Sequence, residues 1–496
     1  MIYANKPIFD TEKTGFVEGL KRIEIQELSL IFLMFISHWK RFEFPIMKKN
    51  FLFKNFLIFS FLLVSFETGF SQDKINPDSI RAKMQWFADA KLGIFIHWGI
   101  YSVNGIDESW SFHNKLISYA DYMKQLKGFT ASKFDPQAWA DLIKETGARY
   151  AVITTKHHDG VALWPTKQNH FNVVDNTPAK KDVLKPFYKA LDKDGIKRGA
   201  YFSLIDWSYP DYPGFLKDSS RYKVEDDPQR WQKFQHFFQA QIDEVNHLYK
   251  PDLWWFDGDW EHSADEWQAK KVREEILSVN PDAIINGRLQ GYGDYETPEQ
   301  NFPVSRPKYN WWELCMTTNN NWGYHPDDTN YKTPFEVISI FVDAVSNGGN
   351  LLLDIGPKAD GTIPPEQVHI LKELGKWNKK NGEAIFGSIP GLPQGHFYGP
   401  TTLSKDSTVL YLFLPGQTTG NIMLKGLINK IDDIQIVGTP QHLKPKIVGK
   451  ISWSPVPGLV FVDVPPKFKD PYMTVLKLKL DGKLKLYRGK GGLGTL

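Results

Sequence analysis

The sequence predicts an α/β fold: a (β/α)8-like, TIM-type barrel followed by a C-terminal all-β sandwich. Three observations carry this. Short apolar runs alternate with amphipathic stretches from about residue 72 to residue 390. Those runs are continuously apolar, as expected of parallel strands with helices over both faces. After Pro390 the helical periodicity stops, and short β-branched segments separated by Gly and Pro take over.

Six runs read as buried strands: GIFIH (93–97), YAVIT (150–154), GAYFS (199–203), LWWFD (253–257), AIIN (283–286) and NLLLDIG (350–356). Helical spacing occupies 136–147, 182–195, 228–249, 264–280, 333–349 and 365–382. An open doubly wound sheet is the other way to arrange such units. No G-x-G-x-x-G follows the first strand, which argues against a dinucleotide fold. Beyond the barrel, 408–415, 432–438, 459–465 and 474–480 predict sandwich strands. The barrel is assigned to 72–390 and the sandwich to 391–496, with the boundary near IPGLP (389–393).

The N-terminal part reads differently. Lys48, Lys49 and Lys54 precede an apolar run from Phe56 to Phe66, and Gly69 and Ser71 suit a cut before Gln72. Residues 47–71 are expected to be a secretory signal peptide, with 1–46 a non-native upstream extension. The apolar run is too short to span a bilayer comfortably, so no stable membrane anchor is expected. The mature chain is expected in a periplasm or outside the cell.

Bulk composition narrows the function. Of 496 residues, 42% are hydrophobic and 24% charged, ordinary for a globular protein. A net charge of +3 without a block of like charges gives no footprint for nucleic acid. The single cysteine, Cys315, excludes intramolecular disulfides and multi-cysteine zinc sites. Aromatic content of 14%, with 17 Trp, suits a well-packed core and equally a cleft that stacks on sugar rings. Oligomeric state has no signature here.

In a (β/α) barrel, polar residues at the C-terminal strand ends face the active-site mouth. The expected strands end in His97, in His157 and His158, in Asp257, and in Arg288. Alternation along a strand would send His157 and His158 in different directions, so at most one of the two is expected to point straight at a ligand. Singly, each residue could be a packed histidine, a helix cap or a surface ion-pair partner. Together they outline one rim. A rigid strand-end aspartate paired with a second carboxyl is the equipment of retaining glycoside hydrolysis, with the two about 5–5.5 Å apart. Asp257 suits the nucleophile. Glu296, Glu299 and Glu313 are the candidates for the acid. Glu313 is flanked by Trp311, Trp312 and Leu314, and apolar surroundings raise a carboxyl pKa. There is no H-E-x-x-H and no G-x-S-x-G, so neither a metalloprotease nor a serine hydrolase is supported.

The motifs as a set resemble the α-L-fucosidases of glycoside hydrolase family 29. KLGIFIHWGIYSV (91–103), YAVITTKHHDGVALW (150–164), GAYFSLIDW (199–207), PDLWWFDGDW (251–260), INGR (285–288) and NNNWGY (319–324) carry the resemblance, with VSNGGNLLLDIGPKADGTIP (345–364). It implies a retaining exo-enzyme that removes terminal α-L-fucose from fucosylated glycans without metal or other cofactor. By matching position it implies Asp257 as nucleophile. His97, His157, His158, Tyr201, Trp255 and Arg288 fall where the family binds fucose. Many members carry an adjacent Glu-Trp pair on the sugar. Here Ser109 separates Glu108 from Trp110, and these two are the nearest match. By spacing from Asp257, Glu299 matches one subgroup's acid/base and Glu313 an alternative placement. A non-catalytic fucose-binding barrel and a retaining glycosidase for another sugar, such as galactose, are the competing functions.

Overall fold

The computed structural model describes residues 77–169, 171–416 and 421–489, all within one unit, Asn76–Leu496. The expected signal peptide and the stretch before it lie outside the described residues. Among the described residues, no helix is long and apolar enough to cross a membrane.

The barrel domain runs α1 (Pro77–Ala90), β1 (Leu92–Ile96), α2 (Pro136–Thr146), β2 (Tyr150–Lys156), α3 (Leu184–Asp194), β3 (Lys197–Ser203), α4 (Pro228–Tyr249), β4 (Leu253–Asp257), α5 (Ala269–Val279), β5 (Ile284–Ile285), β6 (Glu313–Thr317), α6 (Pro334–Ser346), β7 (Asn350–Ile355) and α7 (Pro365–Asn381). The strands form one parallel sheet in the order β5-β4-β3-β2-β1-β7-β6. Local chemistry sets helix ends. Asp135 accepts hydrogen bonds from the Gln137 and Ala138 amides, with Pro136 at the first helical position of α2. Thr333 and Glu336 form a reciprocal capping box on α6.

The unbroken apolar runs are explained by two cores on opposite strand faces. Phe95, Val152, Tyr201, Trp255, Cys315 and Leu352 fill the barrel interior. Their neighbours Ile94, Ile153, Trp254, Phe256 and Leu353 face the helices. Helix α1, which the apolar-run pattern does not announce, closes the bottom of the barrel. Its Met84 and Phe87 join the interior cluster, and the Phe87 carbonyl accepts from Asn350 Nδ2 at 2.8 Å.

The sheet departs from eight regular strands between β5 and β6. Isolated parallel bridges join Asn286 to Tyr295, Glu296 to Trp312 and Glu299 to Cys315, so residues 295–299 occupy the eighth position. The Glu313 amide donates to the Glu296 carbonyl at 2.9 Å, and the Cys315 amide to the Pro298 carbonyl at 3.1 Å. Glu299 therefore stands on the segment that closes the ring. Glu313 is the first residue of β6, a strand the apolar-run pattern does not announce.

Beyond α7 the chain forms short strands: β8 (Ile389–Pro390), β9 (Thr401–Leu403), β10 (Val409–Pro415), β11 (Asn421–Lys425), β12 (Ile431–Ile436), β13 (His442–Leu443), β14 (Lys446–Val448), β15 (Leu459–Asp463) and β16 (Met473–Leu480). They make a six-stranded sheet, β13-β12-β16-β10-β9-β8, and a three-stranded sheet, β11-β15-β14. Leu410, Leu412, Ile434, Val462 and Leu476 lie between them. The other face of β10 and β16 meets the barrel domain through Phe413, Val475 and Trp377 of α7, whose indole donates to the Met473 carbonyl at 2.9 Å.

Phe256 sits on the helix-facing side of β4, fully buried and stacked on Trp254 with ring centroids 5.5 Å apart. Phe256→Ala is expected to cost about 3–5 kcal/mol, because the packed wall collapses only partly into the cavity. Chemical denaturation will read this as a lower midpoint with an unchanged slope.

Candidate active site

Asp257 ends β4 pointing into the barrel mouth, since it shares the inward parity of Leu253 and Trp255. Gly258 follows with φ of +84°, and a Cβ there would lie 2.6 Å from Ile205. The chain can turn sharply off the strand only because that residue has no side chain. This leaves the carboxylate on the last rigid position of the strand. Oδ2 accepts from the Tyr201 hydroxyl at 2.9 Å, and Oδ1 accepts from Arg288 Nη1 at 2.9 Å.

Arg288 links the two sides of the mouth. Its Nη2 donates to Glu299 Oε2 at 2.7 Å, and its Nε donates to Thr297 Oγ1 at 3.1 Å. One planar guanidinium thus spans both carboxylates, a bidentate role that Lys could not reproduce. Beneath it lies the Trp255 ring, 4.4 Å from the guanidinium carbon. Against the opposing effect of burial, the Asp257 and Glu299 carboxylates, with the Cys315 thiol, hold Arg288 firmly protonated. Asn286 supports the arrangement from the short β5. Its side chain accepts from the Phe256 amide and donates to the Phe256 carbonyl, both at 2.9 Å, extending the pairing to the strand end.

The three histidines converge on the same mouth. His97 Nδ1 meets Asp354 Oδ1 at 2.7 Å. Burial lowers the imidazole pKa and raises that of the carboxyl, and both shifts disfavour a charged bridge between them. His157 Nδ1 meets Ser109 Oγ at 2.7 Å, and its ring stacks on Tyr201 at 5.5 Å. For His158 the tautomer follows from its neighbour. Ser203 Oγ donates to the Ile205 carbonyl at 2.7 Å, so it accepts from His158 Nδ1–H at 2.5 Å. The Nε2 atom is then a bare acceptor, 3.7 Å from Asp257 Oδ2. It has no protein partner among the described residues. Two acceptors across that gap suit a ligand hydroxyl. Burial, with neighbouring histidines and Lys156 adding to it, holds all three rings neutral.

The expectation that only one of His157 and His158 would face the site is corrected. Strand β2 ends at Lys156, and the chain turns at once, with the Gly160 amide donating to the His157 carbonyl at 3.0 Å. Strand alternation no longer applies beyond that point, and the two rings lie 4.3 Å apart at one rim.

Glu108 and Trp110 diverge around Ser109. The Glu108 carboxyl is buried and accepts from the Gly323 amide at 2.5 Å. Burial raises its pKa to about 7. Trp110 packs edge-on against His158, with centroids 5.5 Å apart, and against Trp207 at 5.0 Å. Glu313 stands apart from the rim group. It is fully buried inside the barrel, where Oε1 accepts from Trp255 Nε1 at 3.1 Å and Oε2 accepts from the Tyr150 hydroxyl.

Several residues at the mouth have no place in the sequence reading. Asp354 behind His97 could have been found by the strand-end rule, since NLLLD delivers a carboxylate as LWWFD does. Ser109, Ser203 and Thr297 carry no signal of their own in the sequence. Trp322, 5.0 Å from His97, and Trp260, half exposed beside His158, complete the aromatic rim.

A strand-end aspartate and a facing glutamate joined by one arginine, ringed by neutral histidines and aromatic faces, are the parts of a carbohydrate-cleaving barrel. Comparison with known proteins makes this specific. A sequence model of the family described as alpha-L-fucosidase matches residues 65–383. Tissue alpha-L-fucosidase of Macaca fascicularis is 33% identical over 75% of this chain and 82% of its own length. The Homo sapiens tissue enzyme is 32% identical over 80% and 89%. Among solved structures, alpha-L-fucosidase isoenzyme 1 from Paenibacillus thiaminolyticus superposes with a TM-score of 0.74 at 30% identity, over 81% of this chain and 100% of its own. A family 29 alpha-L-fucosidase from Bacteroides thetaiotaomicron, trapped as a covalent intermediate with 2-fluoro-fucosyl fluoride, has a TM-score of 0.71 at 30% identity, covering 81% and 96%. The chain belongs to the alpha-L-fucosidase family, glycoside hydrolase family 29.

Proposed function

We propose that this protein is a retaining exo-α-L-fucosidase, with Asp257 as nucleophile and Glu299 as acid/base. The observation that carries the assignment is the Arg288 bridge, which sets both carboxylates one guanidinium apart across the mouth of a family 29 barrel. Asp257 Oδ attacks C1 of the fucosyl residue, the C1–O bond breaks, and the Glu299 proton passes to the departing oxygen. Glu299 then removes a proton from water, which attacks C1 and releases Asp257. Two inversions at C1 retain the α configuration.

Glu299 is preferred to Glu313 because Glu313 is enclosed by Tyr150 and Trp255 inside the barrel, whereas the Glu299 side chain is about a third exposed. His97, His157, His158 and Glu108 are assigned to the ring hydroxyls. Trp255 and Trp110 are assigned to the apolar faces, including the C6 methyl. The basic and apolar stretch from Met47 to Ser71 supports export to a periplasm or the cell exterior.

Turnover of p-nitrophenyl α-L-fucoside tests the assignment. We expect release of nitrophenol from the α-L-fucoside and far slower release from the β-D-galactoside, which lacks the C6 methyl. Binding of L-fucose without turnover would identify a sugar-binding barrel instead. Equal rates on both substrates would move the specificity to another sugar.

A further inference from the structure

We propose that Glu313 is a positioning residue that holds the Arg288 clamp through the indole of Trp255. This rests on the reading that Asp257 and Glu299 perform the chemistry. The connection is continuous. The Tyr150 hydroxyl donates to Glu313 Oε2, and Trp255 Nε1 donates to Glu313 Oε1 at 3.1 Å. The Trp255 ring carries the guanidinium of Arg288 at 4.4 Å, and Arg288 reaches Asp257 at 2.9 Å and Glu299 at 2.7 Å.

A fully buried carboxyl inside a barrel is costly to ionise, and an apolar residue could fill the same space more cheaply. Among the described residues Glu313 forms no ion pair; the cation that acts on it is Arg288, which lies over the Trp255 ring. A carboxylate hydrogen-bonded to the indole N–H makes the ring face more negative, which strengthens its hold on the guanidinium. Tyr150, Tyr295, Cys315 and Arg288 are the titratable groups that face Glu313. Burial lifts the Glu313 pKa to about 7, opposed by the bonds from Tyr150 and Trp255 and by Arg288. Below that pH the carboxyl is neutral. It then donates to the Tyr150 oxygen and still accepts from Trp255, so the shape persists while the charge is lost. The clamp therefore tightens as pH rises through about 7.

Glu313→Gln separates charge from shape, because its amide oxygen accepts from Trp255 and its amide nitrogen donates to the Tyr150 oxygen. We expect kcat/KM on p-nitrophenyl α-L-fucoside to fall roughly tenfold at pH 8, and to match the parent within about twofold at pH 5.5. In a Trp255→Phe background, which lacks the N–H, Glu313→Gln is expected to have no further effect. A ratio that stays constant across pH, or an equal loss in the Trp255→Phe background, overturns the proposal, whatever happens to the melting temperature. The crystal structure of Glu313→Met supplies a readout free of catalysis. Arg288 is expected to leave the Trp255 face there, and an unmoved guanidinium overturns the proposal. If the parent protein proves inert on fucosides, the catalytic reading falls and that structure still decides the positioning role.

Discussion

Asp257→Ala lowers kcat/KM on p-nitrophenyl α-L-fucoside by on the order of 10⁴-fold, and azide restores part of the lost turnover as β-L-fucosyl azide. The expectation follows from where the carboxylate stands. It occupies the last residue of a strand paired with β3 along its whole length and is fixed by Tyr201 and Arg288. Removing it leaves a small space on the face of the sugar opposite the leaving group. Azide can enter that space and displace the leaving group once, which inverts C1. Arg288 keeps Glu299 and Thr297 as partners in the variant, so the mouth retains its frame. Asp257→Asn provides a second variant of nearly unchanged volume, expected to lose activity in the same way. Normal turnover by either variant removes Asp257 from the mechanism.

Glu299→Ala behaves differently. On fucosylated oligosaccharides, whose leaving groups are poor, we expect a loss of about 10²–10⁴-fold, the usual worth of a positioned proton donor. On an activated aryl fucoside the first step needs little acid help, so the fucosyl-enzyme accumulates and hydrolysis limits the rate. Azide then attacks the intermediate without a general base, giving α-L-fucosyl azide with retained configuration. The alkaline limb of the kcat/KM profile should disappear with the donor. Identical losses on activated and natural substrates would mark Glu299 as a binding contact only. A residue that acts by holding Trp255, such as Glu313, cannot reproduce the dependence on the leaving group.

The barrel was legible where burial is two-sided. Strands such as LWWFD and NLLLDI are apolar at every position because inner and outer faces both meet cores, and that leaves a plain mark in the sequence. Strand β6 was missed because its inward positions are Glu313, Cys315 and Thr317, which break the apolar run. The closing segment 295–299 is harder still. It contains Pro298 and only bridges its neighbours, so neither periodicity nor composition announces a strand there. Strand-end polarity found the rim residues His97, Asp257 and Arg288. It could not find Ser109 or Ser203, whose roles depend on which histidine nitrogen they meet. Flanking apolar residues suggested an acid at Glu313. The environment is indeed desolvating, with a pKa of about 7, but the carboxyl faces the barrel interior. Local sequence reports how dry a carboxyl is, and three-dimensional placement decides whether substrate can reach it.

The two carboxylates of the mouth rest on unequal mechanical supports. Asp257 belongs to a stave bonded to β3 along its whole length, from Gly199–Leu253 to Ser203–Asp257. Glu299 rides a stave attached at isolated points, flanked by the irregular stretch between Gln300 and Trp312. Insertions or exchanges in that stretch can therefore re-aim Glu299, the proposed proton donor, while Asp257, the proposed nucleophile, stays still. Related barrels can in this way diverge in the glycan they release from while keeping the same grip on the sugar they remove.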